Sequence, residues 1–223
     1  MPKVAIHCKA SNSDGMGHIY RQINLAIELR KQGWDVFFFI PRFVPAIELL
    51  ARSNFVPTLV EPESQFSDYF NKSFDIAILD IQDTSESLIC SIKEKIPLVA
   101  SFEDLGPGRN YVDIIIDCNL SVLAEKNFTI ATRTLFGTDY SVLNPDCARY
   151  NVQLREFNPT AQSALITMGA TDPQGLTLPL TQFLLQEKSN LKLTVLIALN
   201  TANALQLKDL ATQYKLLNVL DPI

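Results

Sequence analysis

Short apolar runs alternate with helix-like segments along most of the chain, and this alternation constrains the fold more than any other feature of the sequence. Val4-Ala5-Ile6 precedes a helical stretch over 19–31, the run 34–40 precedes a second from Pro45, and the run 74–80 precedes a third that ends near Lys95. Further runs follow at 97–102, 114–117 and 134–137. Each is of strand length and rich in β-branched or aromatic residues. Strands joined through helices return in the same direction, so the pattern predicts βαβ units and a mainly parallel sheet. The segment 34–40 (W-D-V-F-F-F-I) reads as buried on both faces, as parallel strands are.

Local signals mark the ends of these elements. Gly33 suits a helix C-terminal cap, and Pro45 suits the first turn of a helix carrying Ile47, Leu49 and Leu50. Asp83 and Glu86 have the spacing of an N-cap and its reciprocal partner. Residues 55–60 read as a short strand, 61–71 as a loop with a short helix, and 140–149 as irregular or weakly helical. The polar stretch 154–162, with Pro159, reads as a linker. A second series follows: strand 164–168, loop 169–173, helix from Gln174, strand 191–197, helix 205–214 and strand 218–220. The expectation is α/β architecture, with a Rossmann-like N-terminal domain over 1–158 and the first part of a second Rossmann-like domain over 159–223. Three strands and two helices leave an open edge and an uncovered face, so self-association is expected to be possible.

Composition excludes several classes of function. A net charge of −5 and a pI near 5.1 provide no basic surplus for nucleic acid. No apolar run approaches the roughly 20 residues that cross a bilayer, and the most apolar segment, 37–40, has strand length. The chain begins a strand almost at once, without the regions of a signal peptide. Cys8, Cys90, Cys118 and Cys147 form no C-x-x-C pair, and beyond the neighbours His7 and Cys8 nothing has metal-ligand spacing. The four read as buried, reduced thiols of a cytoplasmic protein. No metal or other cofactor is expected.

The residues that carry chemistry gather at loops. After the first strand comes S-N-S-D-G-M-G-H over 11–18, leading directly into a helix. Such a junction aims unpaired N–H groups and the helix dipole at an anion, and Gly15 and Gly17 admit a close ligand. The spacing is G-x-G-H, lacking the third glycine of a dinucleotide fingerprint and the Lys-Ser/Thr of a P-loop. A tight turn in which His18 only caps or lines the helix end fits the local pattern equally well. In parallel sheets ligands bind beyond the carboxyl ends of the strands. Asp80, Glu103 and Asp104 lie at such ends together with the 15–18 loop, and could share its rim. Helix capping or solvation is the alternative for each acid taken singly.

These landmarks, in order, carry a resemblance: G-M-G-H-I-Y-R at 15–21, D-I-A-I-L-D at 75–80, S-F-E-D-L-G-P-G at 101–108, G-T-D-Y at 137–140 and I-T-M-G-A-T-D-P at 166–173. The set resembles the UDP-diacetamido-trideoxyhexose hydrolase family of pseudaminic acid biosynthesis and the related spore-coat polysaccharide biosynthesis proteins. That family is similar in fold to the peptidoglycan N-acetylglucosaminyltransferase, a GT-B protein of two Rossmann-like domains. The resemblance implies a UDP-sugar substrate, water attacking the anomeric carbon, inversion, and UDP as leaving group. It implies His18 as base, a choice that suits an imidazole titrating near neutrality. Gly15, Gly17, Arg21, Asp80, Glu103, Asp104, Tyr140, Gly169, Thr171 and Asp172 are the substrate-binding candidates. Arg21 shares a helix face with His18 and could meet a phosphate, an acid at 103–104, or only an exposed partner. The loop 169–172 would face the cleft from the second domain.

The sequence departs from the family pattern in places. Its first strand ends His7-Cys8-Lys9 in place of Arg-x-Asp, Gln82 stands near an expected aromatic, and Ala170 replaces a glycine. The family's uridine- and ribose-binding segments lie beyond residue 223. The chain is therefore expected to be a fragment or a shortened homologue. Two rivals stay open: a GT-B glycosyltransferase with a sugar hydroxyl in place of water, and a non-catalytic nucleotide-sugar-binding subunit.

Overall fold

The apolar runs become parallel strands, and the polar breaks between them become the turns that feed each helix. The computed structural model describes residues 1–60, 67–70, 73–119, 133–150, 159–169, 172, 174–187, 190–197 and 203–221. By compactness the chain divides into two units, Met1–Ala10 with His18–Tyr150, and Ser11–Gly17 with Asn151–Ile223. Residues 154–158 of the expected linker lie outside the described residues.

The first sheet is parallel throughout. Its strands are β1 (Lys3–Cys8), β2 (Asp35–Ile40), β3 (Thr58–Leu59), β4 (Ile76–Asp80), β5 (Leu98–Phe102), β6 (Ile114–Asp117) and β7 (Arg133–Phe136). They lie in the order β3-β2-β1-β4-β5-β6-β7. The chain runs outward from β1 to β3 and then crosses back to place β4 on the other side of β1. The strand order thus reverses between β1 and β4, where Cys8 pairs with Asp80. This is the switch point at which open α/β sheets leave a crevice for a ligand.

Helices α1 (Gly17–Lys31), α2 (Val44–Arg52) and α3 (Glu86–Lys93) connect the strands. Gly33 takes φ 86°, and the Trp34 N–H reaches the Leu29 carbonyl at 3.0 Å, closing α1 as its glycine predicts. Ala5, Leu79, Val99 and Ile115 from the strands pack with Ile89, Ile92 and Ile96 around α3 in one buried cluster.

In the first unit four expectations are corrected. Phe37 is 41% exposed, so β2 is not buried on both faces; the outward ring rests edge-on against Phe74 instead. The third strand is only two residues long. The N-cap of α3 is Ser85, whose side chain accepts the Leu88 N–H, and not Asp83. Only Cys8 is a buried thiol; Cys118 is half-buried, and Cys90 and Cys147 are exposed.

The second sheet is also parallel, in the order β10-β9-β8, from β8 (Ser163–Ile166), β9 (Lys192–Leu196) and β10 (Leu217–Leu220). Helices α4 (Thr177–Glu187) and α5 (Ala204–Gln213) cover it through Leu185 and Leu207, which pack with Ile166, Leu193, Val195 and Leu217. The fourth helix begins at Thr177 rather than Gln174. Asp172 folds back to accept the N–H groups of Leu176 and Thr177 at 2.9 and 3.1 Å, which delays the first helical turn.

Candidate active site

The first turn of α1 opens over the switch point and presents His18, Arg21 and Gln22. Positions three and four residues apart share one helix face, so the three side chains converge on a single group from β4. That group is Asp80. Its carboxylate is fully buried and receives four donors. Oδ1 accepts from His18 Nδ1 and from Arg21 Nη2, each at 2.7 Å. Oδ2 accepts from Arg21 Nε at 2.9 Å and Gln22 Nε2 at 2.8 Å.

Burial opposes the charge on Asp80, but the hydrogen bonds from His18 and Arg21 and the charge of Arg21 outweigh it, holding the carboxyl below its ordinary range. The same bonds, against the cost of burial, push Arg21 above its ordinary value, so the pair is ionised throughout the working pH range. Breaking such a pair from one side strands the other charge.

The geometry also fixes the His18 tautomer. An ionised carboxylate can only accept, so Nδ1 carries the proton. Arg21 Nη2 stands 3.5 Å from that nitrogen because both donate to the same oxygen. Among the described residues the side-chain hydrogen bonds of His18 use Nδ1, which leaves Nε2 as the ring nitrogen open to a ligand. The His18 side chain is 13% exposed, so the ring is reachable from solvent while Nδ1 is held by Asp80.

Arg21 has a second partner. Its Nη1 meets Glu103 Oε1 at 2.7 Å, and its guanidinium lies 5.2 Å from the centre of the Phe102 ring. Glu103 follows β5 with φ 46°, in the left-handed region that costs a residue with a Cβ on the order of 1 kcal/mol. Asn119 Nδ2 and Cys118 Sγ donate to the same oxygen at 2.8 and 3.2 Å. The cluster is therefore built from the carboxyl ends of β4, β5 and β6 and the start of α1.

The other candidates are placed differently. Asp104 is buried and turned to protein donors: Thr84 Oγ1, the Thr84 N–H at 3.2 Å and the Gly106 N–H at 2.9 Å. It holds the turn 104–108 against Thr84 so closely that a Cβ on Gly106 or Gly108 would overlap Thr84. Asp172 caps the approach to α4, with Thr177 Oγ1 donating at 2.7 Å in addition to the two N–H groups. Gly169 is exposed with φ 73°, Tyr140 is exposed in a single 3-10 turn, and Thr171 lies outside the described residues.

In the glycine loop the N–H groups of Ser13 and Asp14 go to Ser11 Oγ at 3.1 and 3.0 Å, and that of Gly15 to the Ser11 carbonyl at 2.9 Å. The first N–H groups of α1 have no partner within the helix itself. Among the described residues His7 and Cys8 belong to no group of three that could hold a metal ion. Burial takes the His7 pKa down to about 4, and its Nδ1 donates to the Phe39 carbonyl at 2.7 Å; burial, with Asp80 nearby, raises the Cys8 thiol.

Sequence reasoning missed Gln22, Phe102 and Asn119. Gln22 had a usable signal: it is an amide four residues after His18 on the face that the apolar positions Ile19, Ile23 and Ala26 mark as buried. Asn119 carries none, because only the pairing of β5 with β6 brings it to Glu103.

Comparison with known proteins bears on the fold. No family model matches the sequence. Uncharacterized protein MJ1062 of Methanocaldococcus jannaschii is 26% identical over 204 residues, covering 87% of this chain and 42% of that protein, so the chain spans less than half of that relative's length. Among solved structures, MurG of Acinetobacter baumannii matches with a TM-score of 0.54 at 14% identity, over 99% of this chain and 67% of that one. The fold is GT-B-like. HepE of Anabaena, solved with UDP-glucose, matches with a TM-score of 0.55 at 11% identity, over 99% and 69% of the two chains. MnaA of S. aureus, solved with UDP, matches at 0.54 and 11% identity, over 100% and 69%. A GT-B-like chain of this kind is similar in fold to proteins that hold UDP or a UDP-sugar. Among its described residues no helix is long and apolar enough to cross a membrane, and no three His, Cys, Asp or Glu side chains are grouped to hold a metal ion.

Proposed function

We propose that this chain acts in nucleotide-sugar hydrolysis, releasing UDP from a UDP-diacetamido-trideoxyhexose in surface-glycan biosynthesis, with His18 as general base. The observation that carries the reading is the 2.7 Å bond from His18 Nδ1 to the buried, ionised Asp80. It leaves Nε2 as a proton acceptor and stabilises the imidazolium that forms, the arrangement by which a carboxylate orients a catalytic histidine. Support comes from the position of the pair at the switch point and from the UDP and UDP-glucose seen in two proteins of similar fold.

In this reaction a water gives its proton to Nε2 as its oxygen bonds to the anomeric carbon. The bond from that carbon to the diphosphate oxygen breaks, UDP leaves with the electron pair, and the configuration inverts. The first-turn N–H groups of α1 meet the developing charge on the diphosphate. Gly15 and Gly17 admit its approach, and Tyr140, Gly169 and Thr171 remain proposed substrate contacts. Arg21 and Asp80 act through His18, and Asp104 and Asp172 shape the loops that carry the contacts.

The test is UDP release in water, without a sugar acceptor, by the parent chain and by His18→Ala. The expected result is release by the parent and a loss of about 10²–10⁴-fold in the variant. Release that survives the substitution removes His18 from the mechanism. Release only after a sugar acceptor is added assigns the chain to glycosyl transfer, and UDP binding without release assigns it to the non-catalytic reading.

A further inference from the structure

Four charged or ionisable side chains meet at the rim: His18 and Arg21 from α1, Asp80 from β4 and Glu103 after β5. Cys8 stands beside Asp80 in the strand register, and the Cys118 thiol donates to Glu103. The side chains of His18, Arg21 and Glu103 are 13%, 16% and 19% exposed, and that of Asp80 is fully buried, so their charges are poorly screened.

With His18 neutral, Asp80 and Glu103 contribute two negative charges and Arg21 one positive charge. With His18 protonated, the cluster is neutral. Arg21 alone would cancel Asp80 and leave the imidazolium without a counter-charge, beside a guanidinium on its own helix face. Glu103 prevents that. The structure maintains Glu103 at φ 46° and fixes its Oε1 with Asn119 Nδ2 and Cys118 Sγ as well as Arg21 Nη1, so the carboxylate is built into place rather than left to find a partner.

We propose that Glu103 is a positioning residue for His18: it holds Arg21 flat against Asp80 and neutralises the guanidinium, so that the His18–Asp80 pair retains the negative charge a general base requires. This deepens the hydrolase reading and rests on it for its catalytic meaning. The electrostatic coupling itself is present whatever reaction the site performs.

The experiment is a histidine NMR titration of the full chain, which contains only His7 and His18. His7 is buried and bonded to the Phe39 carbonyl, so its signal reports the integrity of the fold while His18 reports the cluster. Glu103→Gln is expected to lower the His18 midpoint by on the order of one pH unit, and Arg21→Gln to raise it by a similar amount. The double variant is expected to return close to the parent. The charge of Glu103 is read a second time as the difference between Arg21→Gln and the double variant, so one variant that fails to fold leaves the other comparison standing.

A merely structural Glu103 would move the midpoint in neither comparison, and that result overturns the proposal. So do shifts of the same sign in the two single variants. UDP release measured on the same samples separates the two layers. Opposite shifts with no release by the parent keep the coupling and remove the hydrolase; release with no shift keeps the hydrolase and removes the coupling.

Discussion

At the scale of single residues, two buried groups on neighbouring strands set how stability responds to acid. His7 titrates near 4 in the folded chain against 6.5 when unfolded, so below pH 6.5 the unfolded state binds the proton first. Stability falls as pH drops from 6.5 toward 4, by about 3 kcal/mol in all. The Asp80 carboxyl is shifted below its ordinary value, so its contribution is complete above about pH 4 and is lost as pH falls through the lowered folded value. The two windows adjoin. Urea unfolding over a pH series is expected to show a flatter slope between pH 6.5 and 4 for His7→Asn, which keeps a donor for the Phe39 carbonyl. Asp80→Asn is expected to flatten only the slope below about pH 4. Substitution to alanine, which leaves Arg21 with Glu103 alone, is expected to cost about 3 kcal/mol at neutral pH.

At the scale of elements, most of the first sheet was legible because each strand is a short apolar run and each helix has a face to bury. The start of α3 was not. Spacing alone favoured Asp83 with Glu86, but Gln82 takes φ 63° in a three-residue turn closed by the Asp83 N–H on the Ile81 carbonyl at 2.8 Å. Thr84 is then held by Asp104, twenty residues away in sequence, and the last extended residue becomes Ser85, at φ −89° and ψ 154°. A local rule cannot see a turn fixed by a neighbouring strand's loop. Ser85→Ala is expected to cost about 1 kcal/mol in chemical denaturation, and Asp83→Ala a few tenths at most. Equal costs would restore Asp83 as the cap. The site divides along the same line. His18 and Arg21 share a helix face and were readable together. That Asp80, rather than Asp104, receives them follows from strand register: β4 ends beside Cys8 of β1, under the first turn of α1. Asp104 lies beyond the strand end, in the turn that Thr84 secures.

At the scale of the whole molecule, the strand order places a buried carboxylate, an oriented imidazole and a helix N-terminus at one point, the reversal between β1 and β4. The alternation of runs made a parallel α/β fold legible, and solved structures of similar fold agree with it. The chemistry was legible only as a set of residue types, because the bond that orients His18 joins positions 62 residues apart. Whether this bond makes His18 a base is read from the pH–rate profile of UDP release by Asp80→Asn, with His18 intact, beside the parent. An amide at position 80 offers no charge to hold the Nδ1 proton or to stabilise an imidazolium. The expected result is a fall in kcat of about 10²–10⁴-fold, with the acid limb displaced to lower pH as the imidazolium loses its counter-charge. A rate and profile unchanged from the parent, or a parent that releases no UDP, would contradict it.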